Sequence, residues 1–300
     1  MDKFTCIHVF GRIVELGSFI AVARERKLSA MMISKYIAQL ERELGVSLLN
    51  RTTRQISLTE AGERFYRQSK SILEDLSGLE EQTRELGHTV KGTLRIVAPI
   101  DFGSTQLVPI VAAYQAIYPD VKVSLVLDNG MVNLAAGNFD CAIRVTDMPE
   151  PSLVARKITE TPLCLFAAPD YLSRQGRPQT IDDLKQHQCL HYLNTPHGDY
   201  WLFNQGKQVR KIRLEWCFGC NNSRALGEAA TLGMGIVQAP ELFLRHLIES
   251  GAVEEILPAM RPDSIPIYAT YLQRKFIPSK LSTFVNFLVE YFQSTPQRAG

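Results

Sequence analysis

The side chains best placed to do chemistry in this 300-residue chain lie between Arg24 and Arg54. Ser29, Ala30, Met31, Ser34 and Lys35 fall on the outward face of a short helical pattern. A hydroxyl there can bond a base edge or a phosphate, and the ammonium of Lys35 can reach guanine acceptors or backbone. Arg24 lies just before this face, and Arg51 and Arg54 lie just after it on a polar turn. All three are candidates for phosphate or the minor groove. Elsewhere, Cys217 and Cys220 form C-F-G-C, which invites a metal or redox reading. Zinc needs about four ligands, and no second pair stands at the right spacing. A redox pair would sit at a helix start that stabilises the thiolate, so this reading stays subordinate. No phosphate-binding glycine loop, serine elbow or HExxH pattern occurs, so neither catalytic residues nor a metal or cofactor is expected.

The elements that would carry the first set are two helical patterns about a polar break. Phe19, Val22 and Ala23 give the first an apolar face, with Ser18 as its cap, and Ile33, Ile37 and Leu40 line one face of the second, with Ser29 as its cap. Leu28 is expected to plug the turn between them. This is helix-turn-helix spacing, whose second helix enters the major groove; a plain helical hairpin has the same spacing. Residues 3–15 form a preceding helix with Phe4, Ile7, Val9, Phe10, Ile13 and Val14 inward, ended by Gly17. Ile56 and Leu58 alternate as a short strand after the turn bearing Arg51 and Arg54, which makes a wing. Thr59 then caps a long helix in which Phe65, Ser69, Ile72, Leu76, Leu79, Thr83 and Leu86 repeat at four and three. Such a seam points to a dimerising linker; packing on its own protomer is the alternative. Two-fold pairing would present two such helices to a palindromic site.

Charge agrees with that division. The formal net charge is only +2, but residues 1–70 carry a net of +5 and residues 71–90 a net of −4. Only the head is then suited to phosphate. Six irregularly spaced cysteines read as small buried hydrophobes in a reducing cytoplasm. No signal-peptide pattern and no run of eighteen apolar residues is seen, so no membrane partner is expected. From Thr93 onward strand and helix patterns alternate: strands at 93–98, 121–127, 141–145, 163–168, 208–214, 232–239 and 265–271. Helices are expected at 102–118, 131–136, 181–185, 223–231, 241–249 and 279–292, as in an α/β domain with a largely parallel sheet.

These features together resemble the LysR-type transcriptional regulators over essentially the whole chain. The resemblance is carried by GSFIAVARERKLSAMMISKYIAQLERELGVSLLNRTTRQISLTEAG at 17–62 and GTLRIVAP at 92–99. YPDVKVSL (118–125), FDCAIRV (139–145), SLVARKI (152–158) and DYLSRQGRP (170–178) follow, then IPIYATY and FVNFLVEYF. It implies an α/β chain with an N-terminal winged helix-turn-helix at 1–58, a dimerising linker helix at 59–90, and an effector-binding domain at 91–300. That domain is implied to be two-lobed and like a periplasmic binding protein, with lobe I at 92–162 and 267–300 and lobe II at 163–266. The implied partners are double-stranded promoter DNA, a small-molecule effector and further copies of the chain, as a homodimer assembling into a tetramer that activates or represses. Met32 departs from the small residue, commonly alanine, that the family carries in the recognition helix, which leaves the operator sequence open.

For the effector, ligands in open α/β sheets meet the carboxyl ends of strands. The loop after the first strand supplies Pro99, Ile100, Asp101, Phe102, Gly103 and Ser104, with Thr105 near a helix start suited to an anion. Family effectors are often carboxylates or aromatic acids, which Asp101 at the mouth would repel; it could favour an amine or a hydroxyl-bearing ligand, or stay out of the site. By resemblance Asn129 matches a second contact region and His197–Trp201 a third, and Asn221 and Asn222 stand before a helix near the cleft. Asn and Ser in loops also serve turns and caps.

Overall fold

The computed structural model describes residues 2–51, 56–85, 90–205, 208–274 and 276–294. The chain divides into two compact units near residue 87.

The first unit is built from α1 (Lys3–Leu16), α2 (Phe19–Arg26), α3 (Ala30–Leu44), β1 (Leu49–Arg51), β2 (Ile56–Leu58) and α4 (Glu60–Glu85). Each helix start has a side-chain cap: Asp2 accepts from Thr5 N, Ser18 from Ala21 N, Ser29 from Met32 N and Thr59 from Gly62 N. These oxygens satisfy amides that the helix itself leaves unbonded. Gly17 and Gly45 end α1 and α3 with φ of 62° and 72°, a left-handed turn that glycine makes without strain. Cys6, Val9, Phe10, Ile13, Val22, Ala23, Ile33, Ile37, Leu40, Leu48 and Leu49 close the core. The sequence pattern places Phe4 and Leu28 inside it, but they are 48% and 39% exposed. At Leu28 the cause is local. α2 ends on Lys27 in the left-handed region, and the turn presents Leu28 outward.

The start of α4 packs on its own core. Phe65 and Tyr66 meet Phe10 with ring centroids 5.7 and 6.4 Å apart, and Ser69 is buried. The first two positions of the heptad seam therefore serve the protomer itself, whereas Ile72 is 58% exposed. The side chains of Leu79 and Thr83, and Leu86 altogether, lie outside the described residues.

The second unit begins with β3 (Gly92–Ala98), α5 (Ile100–Phe102) running through a π turn at Gly103–Leu107 into α6 (Val108–Ile117), β4 (Val121–Leu127), β5 (Cys141–Val145) and β6 (Leu153–Thr161). It continues with β7 (Leu163–Ala167), α7 (Pro169–Gln175), β8 (Cys189–Tyr192), β9 (Tyr200–Gln205), β10 (Gln208–Arg213), β11 (Trp216–Cys220) and α8 (Ser223–Thr231). β12 (Ile236–Pro240), α9 (Glu241–Glu249), β13 (Glu254–Ile256), β14 (Ile265–Leu272) and α10 (Ser279–Ser294) complete it. Two five-stranded sheets result, ordered β4-β3-β5-β14-β6 and β11-β8-β12-β7-β13, with β9 and β10 as a separate hairpin.

Each large sheet is mixed, which corrects the expectation of a largely parallel one. β3 runs parallel to β4 and β5, and β14 is antiparallel to β5 and β6. β8 runs parallel to β11 and β12, and β7 is antiparallel to β12 and β13. The crossing strand β14 has to enter the first sheet from the opposite direction to its βαβ strands. The helix expected at 131–136 is a run of turns, and α6 leaves Ile117 60% exposed. Periodicity alone gives no expectation of β6, α7, β8, β9 or β11.

Candidate nucleic-acid interface and interlobe cleft

On α3 the periodicity that buries Ile33, Ile37 and Leu40 leaves the opposite side to solvent. Ser29, Ala30, Met31 and Lys35 are exposed, Met31 at 70%, while Met32 and Ser34 are half-buried. Arg24 is exposed at the end of α2. Arg51 lies in β1, but its side chain and all of Arg54 fall outside the described residues.

Two acidic residues hold this face in place. Glu41 Oε1 accepts from Leu48 N at 2.8 Å and Leu49 N at 3.2 Å, tying the C-terminal half of α3 to the strand that starts the wing. Glu25 receives a two-pronged bond from Arg12 at 2.9 and 2.5 Å, which fixes α2 against α1. The Arg12 guanidinium holds the Glu25 carboxyl below its ordinary value. In the sequence Glu41 reads only as a pairing partner for Arg42. Its role depends on a turn at Gly45 that brings residues seven and eight positions away back onto it.

In the second unit the loop after β3 meets the other lobe. Asp101, 6% exposed, accepts from Asn222 Nδ2 at 3.0 Å and from Arg224 N at 3.2 Å, at the start of α8. Asn129 accepts from Ile100 N at 2.9 Å and donates to Asn221 O at 2.7 Å, and its carbonyl accepts from Asn194 Nδ2 at 2.7 Å. His197 Nε2 lies 3.0 Å from Asp147 Oδ2. A polar network thus runs from one lobe to the other, and Asp101, Asn129, Asn221 and Asn222 all take part in it.

Other candidates are placed elsewhere. Phe102 is fully buried and stacks with Phe292 at 6.1 Å, so its ring belongs to the first lobe's core. Gly103 is buried so tightly that a Cβ there would collide with Leu127 Cδ2, so it acts through packing. The Ser104 and Thr105 hydroxyls return to the Ile100 and Asp101 carbonyls at 2.7 Å. Trp201 is 4% exposed in the second lobe's core. Pro99 is half-buried and Ile100 is 41% exposed. Asn194 and Asp147 join the network without a signal in the sequence; both are exposed polar loop residues that nothing in the local pattern distinguishes. A cavity of about 480 Å³ lined by Asp199, Arg213, Leu214, Glu215 and Trp216 shares no residue with this network.

The cysteines do not form a paired site. Cys217 and Cys220 are three apart on β11 and so face opposite sides of the strand. Burial pushes the thiols of Cys141, Cys164 and Cys189 up to about 12, as befits inert core residues. Among the described residues no group of three or more His, Cys, Asp or Glu could hold a metal ion, and no helix is long and apolar enough to cross a membrane.

A winged helix-turn-helix joined to two mixed α/β lobes defines a class of ligand-responsive DNA-binding proteins. Residues 4–63 match the bacterial regulatory helix-turn-helix family of lysR type, and residues 87–293 match the LysR substrate binding domain. An HTH-type transcriptional regulator of Haemophilus influenzae is 33% identical over 282 residues, spanning 94% of this chain and 98% of that protein. The HTH-type transcriptional activator AaeR of Escherichia coli K12 is 32% identical over 292 residues, spanning 97% and 94%. Among solved structures, CrgA of Neisseria meningitidis, a LysR-type transcriptional regulator, aligns with a TM-score of 0.61 at 29% identity, covering 96% of this chain and 98% of that one. The chain belongs to the LysR family of transcriptional regulators, a family of DNA-binding, effector-controlled proteins rather than enzymes.

Proposed function

We propose that the chain acts in the cytoplasm as a homodimer, two of which assemble into a tetramer, and that each protomer lays α3 in the major groove of promoter DNA. Ser29, Ala30, Met31, Ser34 and Lys35 face the bases in this reading, and Arg24, Arg51 and Arg54 meet phosphate or the minor groove. The functional division is 1–58 for DNA, 59–90 for pairing and 91–300 for the effector, which enters between the lobes at Pro99, Ile100, Ser104, Asn129, Asn221 and Asn222. The observation that carries the DNA assignment is the two-sidedness of α3. Its apolar stripe is spent on the core, and the remaining face combines a capping hydroxyl, small residues and an ammonium with no burial to explain them.

Fluorescence anisotropy on the duplex immediately upstream of the chain's own gene, beside a scrambled duplex, tests this. Wild type should prefer the upstream duplex and weaken steeply with salt. Lys35→Ala should bind less tightly and flatten the log–log salt slope by about 0.9 for each phosphate it no longer neutralises. Equal binding to both duplexes would place the operator elsewhere or make it depend on the effector, whereas no binding to either, or indifference to the substitution, would reject the assignment.

A further inference from the structure

The two oxygens of the buried Asp101 carboxylate are held by uncharged donors, the Asn222 amide at 3.0 Å and the Arg224 backbone N–H at 3.2 Å. Both donors belong to the other lobe. Arg224 N lies in the first turn of α8, where the unpaired amides and the dipole favour negative charge. Asn222 holds the position twice over: its Oδ1 caps Ala225 N at 2.8 Å while its Nδ2 reaches Asp101. The neighbouring Tyr192 hydroxyl is pushed up by burial and then by the Asp101 carboxylate, which agrees with a carboxylate facing the second lobe. Beside it, Asn129 spends its side-chain oxygen on Ile100 N and its amide on Asn221 O, so the next polar position across the cleft is also committed.

We propose that Asp101 is the specificity-determining residue of the cleft, a resident anion that clasps the lobes and restricts the effector to molecules without a negative charge. The inference rests on the effector reading above and gives it a ligand class. A carboxylate entering here would meet a like charge in a partly dry site and find the two donors suited to it already engaged. A neutral or cationic ligand with donor groups meets an acceptor instead. The same bonds tie α8 to the loop after β3, so ligand class and lobe closure depend on one side chain.

The test uses the full chain as wild type, Asp101→Ala and the near-isosteric Asp101→Asn, the last serving should the alanine variant fold poorly. Hydrogen exchange is followed at the amides of residues 223–226, and melting temperature is followed in sodium benzoate and sodium acetate against sodium chloride of equal ionic strength. The Arg224 amide should exchange at least about tenfold faster in Asp101→Ala, and the carboxylates should raise the melting temperature of that variant but not of wild type. Unchanged exchange would overturn the clasp. Wild type stabilised as much as the variant, or a variant that gains no response to either carboxylate, would overturn the charge selection. Binding of Asp101→Ala to the upstream duplex is measured in parallel. Retained DNA binding with either failure sinks this inference alone, whereas absent DNA binding in wild type sinks the reading beneath it.

Discussion

The hydroxyl of Ser29 shows how a single atom can serve two ends. It accepts the Met32 amide at 3.2 Å and so fixes where α3 begins, on the face assigned to DNA. Ser29→Ala should destabilise the first unit by about 1 kcal/mol, read by chemical denaturation, and should weaken duplex binding beyond what lost stability accounts for. His187 gives a pH dependence. Its Nδ1 lies 3.1 Å from the Tyr171 hydroxyl, which accepts from Gln188 N at 3.0 Å and is free to donate its proton to a neutral imidazole. Burial lowers the pKa of His187, with Asp183 opposing, and does the same to His191 against Asp199. The folded chain therefore binds fewer protons than the unfolded one. The associated stability is full above the ordinary histidine pKa of about 6.5 and is lost as pH falls from there toward the lower folded value. The melting temperature should fall between about pH 7.5 and about pH 5.5, and His187→Gln should show a smaller fall. The caps at Ser18, Ser29 and Thr59 were legible in sequence because each depends on residues three positions away. Asp101 was legible only as a puzzle, because its partners stand more than a hundred residues further on.

Helices were the easiest elements to anticipate, and crossing strands the hardest. α8 and α9 follow from a 3.6-residue stripe inside one segment. By contrast β6 runs LVARKITET, with three successive exposed residues in its middle, and takes its identity from pairing along β14 more than a hundred residues later. β8 and β11 are four or five residues long, too short for alternation to speak. The π turn at Gly103–Leu107 likewise answers to packing, since Gly103 is pressed against Leu127. Close approach also governs α4, where a Cβ on Gly62 would collide with the Leu48 carbonyl oxygen. Gly62→Ala should cost about 1–3 kcal/mol or more by forcing α4 off the wing strand, visible as an earlier melting step of the first unit. Tyr114 closes the first lobe by bonding Lys280 O at 3.1 Å and Thr283 Oγ1 at 2.9 Å from a fully buried ring. Tyr114→Phe keeps the ring and should cost about 1 kcal/mol in the denaturation of the second unit.

For the whole molecule, the assignment with most at stake is pairing through α4. Since Phe65, Tyr66 and Ser69 are engaged with the protomer's own core, any seam between copies has to begin nearer Ile72. Ile72→Glu should shift the chain toward monomer in sedimentation velocity and lower its affinity for a two-half-site duplex more than for a single half-site. An unchanged dimer would move the interface off this face. The first sheet of the second unit carries a different consequence. β14 sits inside that sheet, bonded to β5 on one side and β6 on the other. Among the described residues it is also the last strand in chain order, and the whole second sheet is spelled out between β6 and β14. During synthesis the DNA-binding head and the second lobe leave the ribosome while the first lobe still has two unpaired strand edges. A message cut short before residue 265 would therefore yield a finished reader of DNA on an unfinished, aggregation-prone sensor, because the missing tail takes with it both β14 and α10.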